Sequence, residues 1–388
     1  MNFIFIFLLC LVSAFTQQEP GIDWNFSIRS RSNHELYNDI DNTFSELRSR
    51  LSMTYRADKS ISAFIQLQDS RVFGQEASTL SNSLNLDLHQ AFFEIDHLFD
   101  TDFNLKIGRM EVNHANQRII GAVGWHNVGR SLDGAVFSYA SESVLIDLFS
   151  HKIIETPFDN DSLNIALNGL RAKLKLDKDL NAELYYYSLN TRRINTNLQT
   201  LGAYIIGEAD KFYYDAQFAY QFGPIATGID FDALYLYGRL GYHLTEDHKL
   251  SVAYELLSGD DGADPTKVKT FSPFFGTNHK FNGFMDKFFV GVHKIANING
   301  LNDLIVSFTT LKSLNFDFHF FSNNQDAFRG AQKLSSSIGN EIDVTYQYSY
   351  SENLSVLPGA SYFIFASDYQ NSSGTNDLYL YLIFTFNL

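Results

Sequence analysis

The chain has 388 residues, a formal net charge of −15 and no Lys/Arg block, so it lacks the positive patch that neutralising phosphates requires, and nucleic acid is excluded as a partner. Its single cysteine, Cys10, excludes a disulfide framework. Aromatic residues reach 15%, with 36 Phe and 21 Tyr against 6 Pro, yet the mean hydropathy is only −0.14; strands with one apolar and one polar face reconcile these facts.

Residues 3–12 (FIFIFLLCLV) form an apolar run closed by Ser13 and Ala14. At about ten residues it is too short to span as a helix and reads as a secretory signal peptide. Cleavage after Thr16 gives a signal peptide over 1–16 and a mature chain over 17–388, with Cys10 lost in the leader. Cys10 sits inside the apolar run, with no small residues before it to mark a lipoprotein. No later run approaches the ~18 apolar residues of a helical span, so entry into a membrane requires a closed barrel.

From Trp24 onward apolar and polar residues alternate with period two. Leu47, Leu51, Met53 and Tyr55 oppose Glu46, Arg48, Arg50, Thr54 and Arg56. Ala172, Leu174 and Leu176 oppose Arg171, Lys173 and Lys175. Leu234, Leu236, Leu240 and Tyr242 oppose Tyr235, Tyr237, Arg239 and His243, and Ile342, Val344, Tyr346 and Tyr348 oppose Glu341, Asp343, Thr345 and Gln347. The clearest strand is the last, 377–388, with Leu378, Leu380, Leu382, Phe384, Phe386 and Leu388 on one face. Its ending resembles the C-terminal signal that outer-membrane barrels present to the barrel-assembly machinery, with Leu in place of the usual Phe.

Connections alternate between short ones (57–60, 98–101, 140–142, 177–179, 209–211, 245–249, 312–313, 351–353) and long ones (31–43, 70–84, 111–131, 151–163, 190–198, 222–230, 258–301, 323–338, 366–376). This asymmetry predicts an all-β fold, a transmembrane antiparallel β-barrel of about eighteen strands (sixteen as the alternative) with short periplasmic turns and long extracellular loops. Its place is the outer membrane of a Gram-negative bacterium, in contact with outer-membrane lipid. Residues 284–294 have strand character but would make the count odd, so they are assigned to the long loop.

A set of ordered motifs is similar to the alginate-export family of outer-membrane barrels. It comprises Gly108-Arg109-Met110-Glu111, Asn116-Gln117-Arg118-Ile119-Ile120-Gly121 and Trp125-His126-Asn127-Val128-Gly129-Arg130-Ser131-Leu132-Asp133-Gly134. Further on come Phe275-Gly276-Thr277-Asn278-His279-Lys280-Phe281-Asn282-Gly283-Phe284-Met285-Asp286, Leu301-Asn302-Asp303, Asp317-Phe318-His319-Phe320-Phe321 and Gly339-Asn340-Glu341-Ile342-Asp343. The resemblance covers most of the mature chain. It implies an 18-stranded barrel and passive passage of a polyanionic sugar.

A conduit for carboxylated sugars should line its constriction with Arg and Lys. Strict alternation sends Arg48, Arg50, Arg56, Arg171, Lys173, Lys175 and Arg239 to the lumen. It sends Glu46, Glu183, Asp215, Glu255, Asp303, Asp317, Glu341 and Asp343 there too. Two readings stay open: ion pairs across a wide wet pore, or an anion track along the Arg-rich wall. Arg109, Arg118 and Arg130 lie in or beside 111–131, either reaching into a constriction or anchoring the loop to Glu111 and Asp133. Alternation puts Arg109 on the lipid face, so it belongs near the rim or after a bulge.

Asp260, Asp261 and Asp264 lack the spacing of a Ca²⁺ loop and read as an acidic solvated segment. No zinc spacing, phosphate loop, dinucleotide fingerprint or nucleophile elbow occurs, so no metal, no cofactor and no enzyme are expected. The expected cargo is an anionic oligo- or polysaccharide or small anionic solute. The alternatives are a general diffusion porin and, behind it, a barrel-embedded enzyme pairing His319 with a serine, or an adhesin.

Overall fold

The computed structural model describes residues 21–78, 85–155, 164–191, 196–288, 298–370 and 374–388. The expected signal peptide over 1–16 lies outside them. Eighteen long strands follow in chain order. They are β1 (Gly21–Tyr37), β2 (Ile40–Arg56), β3 (Ile61–Val72), β4 (Leu86–Ile95), β5 (Phe103–Met110), β6 (Leu132–Ala140), β7 (Val144–Ile154), β8 (Ile165–Asp177) and β9 (Leu180–Thr191). Then come β10 (Thr196–Ala209), β11 (Phe212–Ala226), β12 (Ile229–His243), β13 (Lys249–Leu257), β14 (Leu301–Thr310), β15 (Leu314–Ser322), β16 (Ser337–Tyr346), β17 (Leu354–Phe365) and β18 (Asp377–Asn387). Each pairs antiparallel with its sequence neighbours, and β18 returns to β1 in a register from Ser27↔Asn387 to Leu36↔Leu378. The sheet therefore closes and leaves no free edge, the condition for a strand-built structure to sit in hydrocarbon. Among the described residues no helix is long and apolar enough to cross a membrane.

Alternation decides which face each side chain takes. Leu148, Leu170, Leu184, Leu201, Leu240, Val252, Leu304 and Phe384 stand exposed on the outside, while Gln68, Asp147, Glu183, Gln221 and Glu255 are buried inside. A belt of apolar side chains this size would aggregate in water and belongs against lipid tails.

Two expected long loops are tight turns. β1 runs to Tyr37 and reverses through Asn38 and Asp39, at φ 50 and 65. Positive φ at both central residues is the geometry of a type I′ hairpin, which Asn and Asp tolerate. Between β11 and β12 the chain turns through Thr227 and Gly228 (φ 75). The first was hidden because the upper hairpin is polar on both faces: outward Ser32 and His34 hydrogen-bond Ser45 (3.0 Å) and Thr43 (2.9 Å). Above the apolar belt the period-two signal disappears.

Residues 284–288 belong to a loop, and 289–297 lie outside the described residues. β13 pairs directly with β14, from Leu257↔Leu301 to Lys249↔Thr309.

Candidate functional site

Two long-side loops fold down into the lumen instead of standing above it. The first, 111–131, is braced by its own polar groups. Gln117 N donates to His114 O (2.8 Å), and Ala122 N donates to Asn113 Oδ1 (2.8 Å). Its path needs left-handed backbone at Ala115, Gln117 and Val123. For a β-branched residue such as Val123 that conformation is strained and persists only where contacts over-determine it.

Those contacts reach opposite walls. On one side Ala115 N donates to Glu183 Oε1 on β9 (2.8 Å), Arg171 Nη1 on β8 donates to Asn113 O (3.3 Å), and His114 Nδ1 meets the Tyr187 hydroxyl (3.1 Å). Burial pushes the His114 imidazole well below its usual pKa and keeps it neutral. On the other side four arginines of β1 and β2 hold the returning arm. Arg29 donates to Gly124 O (2.7 Å) and Trp125 O (3.1 Å), and Arg31 to Trp125 O (2.9 Å). Arg48 donates to Gly124 O (3.1 Å), and Arg50 binds Glu111 (3.1 Å).

The second loop presses residues 271–288 against the first. Gly121 N donates to Phe275 O (2.9 Å), Phe275 N to Ile119 O (3.0 Å) and Thr277 N to Gln117 O (3.0 Å). A third wall fixes it: Met285 N donates to Glu341 Oε1 on β16 (2.7 Å), and Lys287 pairs with Asp377 at the start of β18. Gly283 is glycine for a reason. At φ 75, a Cβ there would stand 2.4 Å from the Glu341 carboxylate.

Arg118 joins the two loops to the barrel. Fully buried, it pairs with Glu255 on β13 (2.6 Å) and donates to Asn282 Oδ1 of the second loop (2.8 Å). Trp125 ties the other end, its ring 3.9 Å from His279 and near parallel to Phe284. Cavities lie on either side of the loops, an outer one of about 440 Å³ bordered by Arg31, Trp125, His126 and Arg130, and an inner one of about 540 Å³ bordered by Arg239, Lys280, Asp317 and His319. Phe284 borders both.

Arg48, Arg50, Arg118, Arg130, Arg171, Lys173 and Arg239 all lie on the lumen side. Arg130 donates to the carbonyls of Gly121 and Phe275. Lys173 is exposed in a cavity near the short turns. The other four, Arg56, Arg109, Glu341 and Asp343, depart from the expected pore lining. Arg109 faces outward and binds Asp133 (2.8 Å) near the long-loop rim, as alternation requires for a residue in step with Ile107. Arg56 closes β2 at the short-turn rim, paired with Asp23, both exposed. Glu341 is wholly buried under the second loop, whose backbone it receives, and Asp343 is 1% exposed beside it.

Among the described residues, the ion pairs between strands join neighbours and do not cross the open lumen. Arg171 binds Asp147 (2.9 Å), Arg239 binds Asp215 (2.6 Å) and Arg31 binds Glu46 (2.7 Å), in each case the register partner on the adjacent strand. Sequence reading missed Arg29 and Arg31. Their signal is present, since Ser27, Arg29, Arg31 and Asn33 share one face, but the loop expected over 31–43 ends that face at Arg29.

A model of the family described as alginate export matches residues 17–379. The chain belongs to the alginate-export family. Solved porins share the alginate-export barrel of this chain at low identity. Pseudomonas aeruginosa OccK11 (OpdR) has 12% identity and a TM-score of 0.62, over 95% of this chain and 96% of that one. Acinetobacter baumannii OccAB4 has 12% and 0.63, over 96% and 99%. Pseudomonas aeruginosa OpdK, solved with vanillate, has 11% and 0.60, over 94% and 98%. Among curated proteins none matches the chain. Family and fold together make this member of the family an outer-membrane channel.

Proposed function

We propose that this channel passes anionic solutes, carboxylated oligo- or polysaccharides among them, by passive diffusion past the arginine wall of β1 and β2. One observation carries the reading. Arg29, Arg31, Arg48 and Arg50 converge where the first loop narrows the lumen, and their ion pairs among the described residues are with Glu46 and Glu111 alone. Four guanidiniums against the two carboxylates they pair with leave this stretch of wall with an excess of positive charge, which raises the local concentration of anions. Arg130, Lys173 and Arg239 also face the lumen, with Arg239 paired to Asp215. OpdK, of the same fold, was solved with vanillate, a small carboxylate. The reading includes export by residues 1–16 and insertion by the barrel-assembly machinery acting on β18.

The test is a reversal potential in a salt gradient across a planar bilayer. Changing Arg29, Arg31, Arg48 and Arg50 together to Gln should lower anion over cation permeability and weaken block by oligouronates. Both effects should shrink at 1 M salt, where the Debye length falls to about 3 Å. An unchanged reversal potential with unchanged block would remove these residues from the mechanism and favour a general diffusion porin.

A further inference from the structure

We infer that the main-chain carbonyls of Gly124, Trp125 and His126 occupy an anion site, and that neighbouring carboxylates of an oligouronate displace them and swing this stretch off the β1–β2 wall. The inference rests on the anion-channel reading and goes beyond it, because it makes the first loop a competitor of the cargo.

The wall is short of negative charge where the loop lies on it. Arg29 and Arg48 ion-pair with no carboxylate among the described residues. Their guanidiniums instead donate to neutral carbonyls, Arg29 to Gly124 (2.7 Å) and Trp125 (3.1 Å), Arg48 to Gly124 (3.1 Å) and His126 (3.4 Å). Arg29 is 7% exposed, and its Nε is a buried donor with no acceptor. A buried donor left unsatisfied marks a site whose acceptor set is incomplete. Carboxylates are the stronger acceptors for guanidinium: charge-assisted bonds are shorter and roughly twice as strong as neutral ones, and two oxygens fit the fork of one Arg. A chain of uronate residues brings such carboxylates at adjacent positions, and Arg29 and Arg48 are themselves register partners on neighbouring strands.

The loop is also ready to leave. Val123, immediately before the three carbonyls, is held at φ 52, and Gly129 at φ 82 lies just beyond them. Displacement releases the strained residue and bends the chain at a glycine. The stretch has one large side chain to report the change, Trp125, with Arg31 4.6 Å over its ring and His279 3.9 Å away.

The chain has two tryptophans, and Trp24 stands exposed on the outer face near the short turns. Trp24→Phe in the full barrel therefore leaves Trp125 as sole emitter. Hexagalacturonate should give a saturable red shift of its emission, with the midpoint seen for block of the current. Maltohexaose, and chloride at matched ionic strength, should give none. A second variant, Ser70→Cys with Asn127→Cys, staples the loop where Ser70 Oγ donates to Asn127 O (2.9 Å). Oxidised, it should lose the red shift and reduce uronate flux, and reductant should restore both. Block by hexagalacturonate without an emission change, or an equal change with maltohexaose, would overturn displacement and leave anion passage standing. Absence of both block and emission change would overturn both.

Discussion

Arg118→Met should loosen the constriction without harming the barrel. The guanidinium is fully buried with Glu255, which is 1% exposed. Glu255 has two neutral donors besides, the Tyr235 hydroxyl (2.8 Å) and Asn282 Nδ2 (2.5 Å). Deleting one member of a buried ion pair costs about 3–5 kcal/mol, because the other charge is stranded. The two neutral donors and entering water favour the low end. At about 1.4 kcal/mol per factor of ten, 3 kcal/mol shifts the balance between docked and released loops roughly a hundredfold. The cost falls on the contact between loops and wall, since no inter-strand backbone bond involves the side chain. Single-channel recordings should therefore show larger and noisier openings, with the thermal transition of the barrel unchanged. Arg118→Met with Glu255→Gln removes both charges and should behave more like the wild type than Arg118→Met alone. Wild-type conductance and noise in the single variant would refute the claim that this pair holds the loops together.

Other expectations are separable from that one. Gly283→Ala places a methyl at φ 75 against the Glu341 carboxylate and should release the second loop alone, seen as raised conductance with unchanged anion selectivity. Arg109→Gln should leave the reversal potential where it was, because the side chain faces outward against Asp133. Removing residues 384–388 deletes the partners of Ser27, Ile28, Arg29 and Ser30 in the closing ladder, so the truncated chain should be missing from outer-membrane fractions.

The strands were legible where one face meets lipid and the other water. In β18, outward Leu380, Leu382 and Phe384 stand against buried Tyr379, Tyr381 and Ile383, as alternation requires. Legibility failed at the upper hairpin of β1 and β2, whose outward Ser32 and His34 face water and carry no apolar signal. Which ion pairs form was not legible, because alternation gives a face but not a neighbour: that Arg171 lies opposite Asp147 depends on register, which turns and bulges set. Inward docking of the loops was the least legible. A backbone amide such as Met285 N finding Glu341 leaves no pattern in residue types, and only the motif resemblance over 275–286 marked that stretch as structured.

The ladder between β1 and β18 also imposes a timetable. Every other long strand can find its partner as soon as the next stretch of chain appears, but residues 27–36 must wait for residues 378–387. Contacts this distant in sequence slow folding because the closing entropy must be met before any bond rewards it. Until then two strand edges stay open to other chains. The loops are bound by the same wait, since the arm over 124–126 needs β1 and β2 while Arg118 needs β13, and only a curved, nearly complete wall brings these within reach of one another. The constriction is therefore among the last parts to form, and a barrel caught before closure would be a wide, leaky pore.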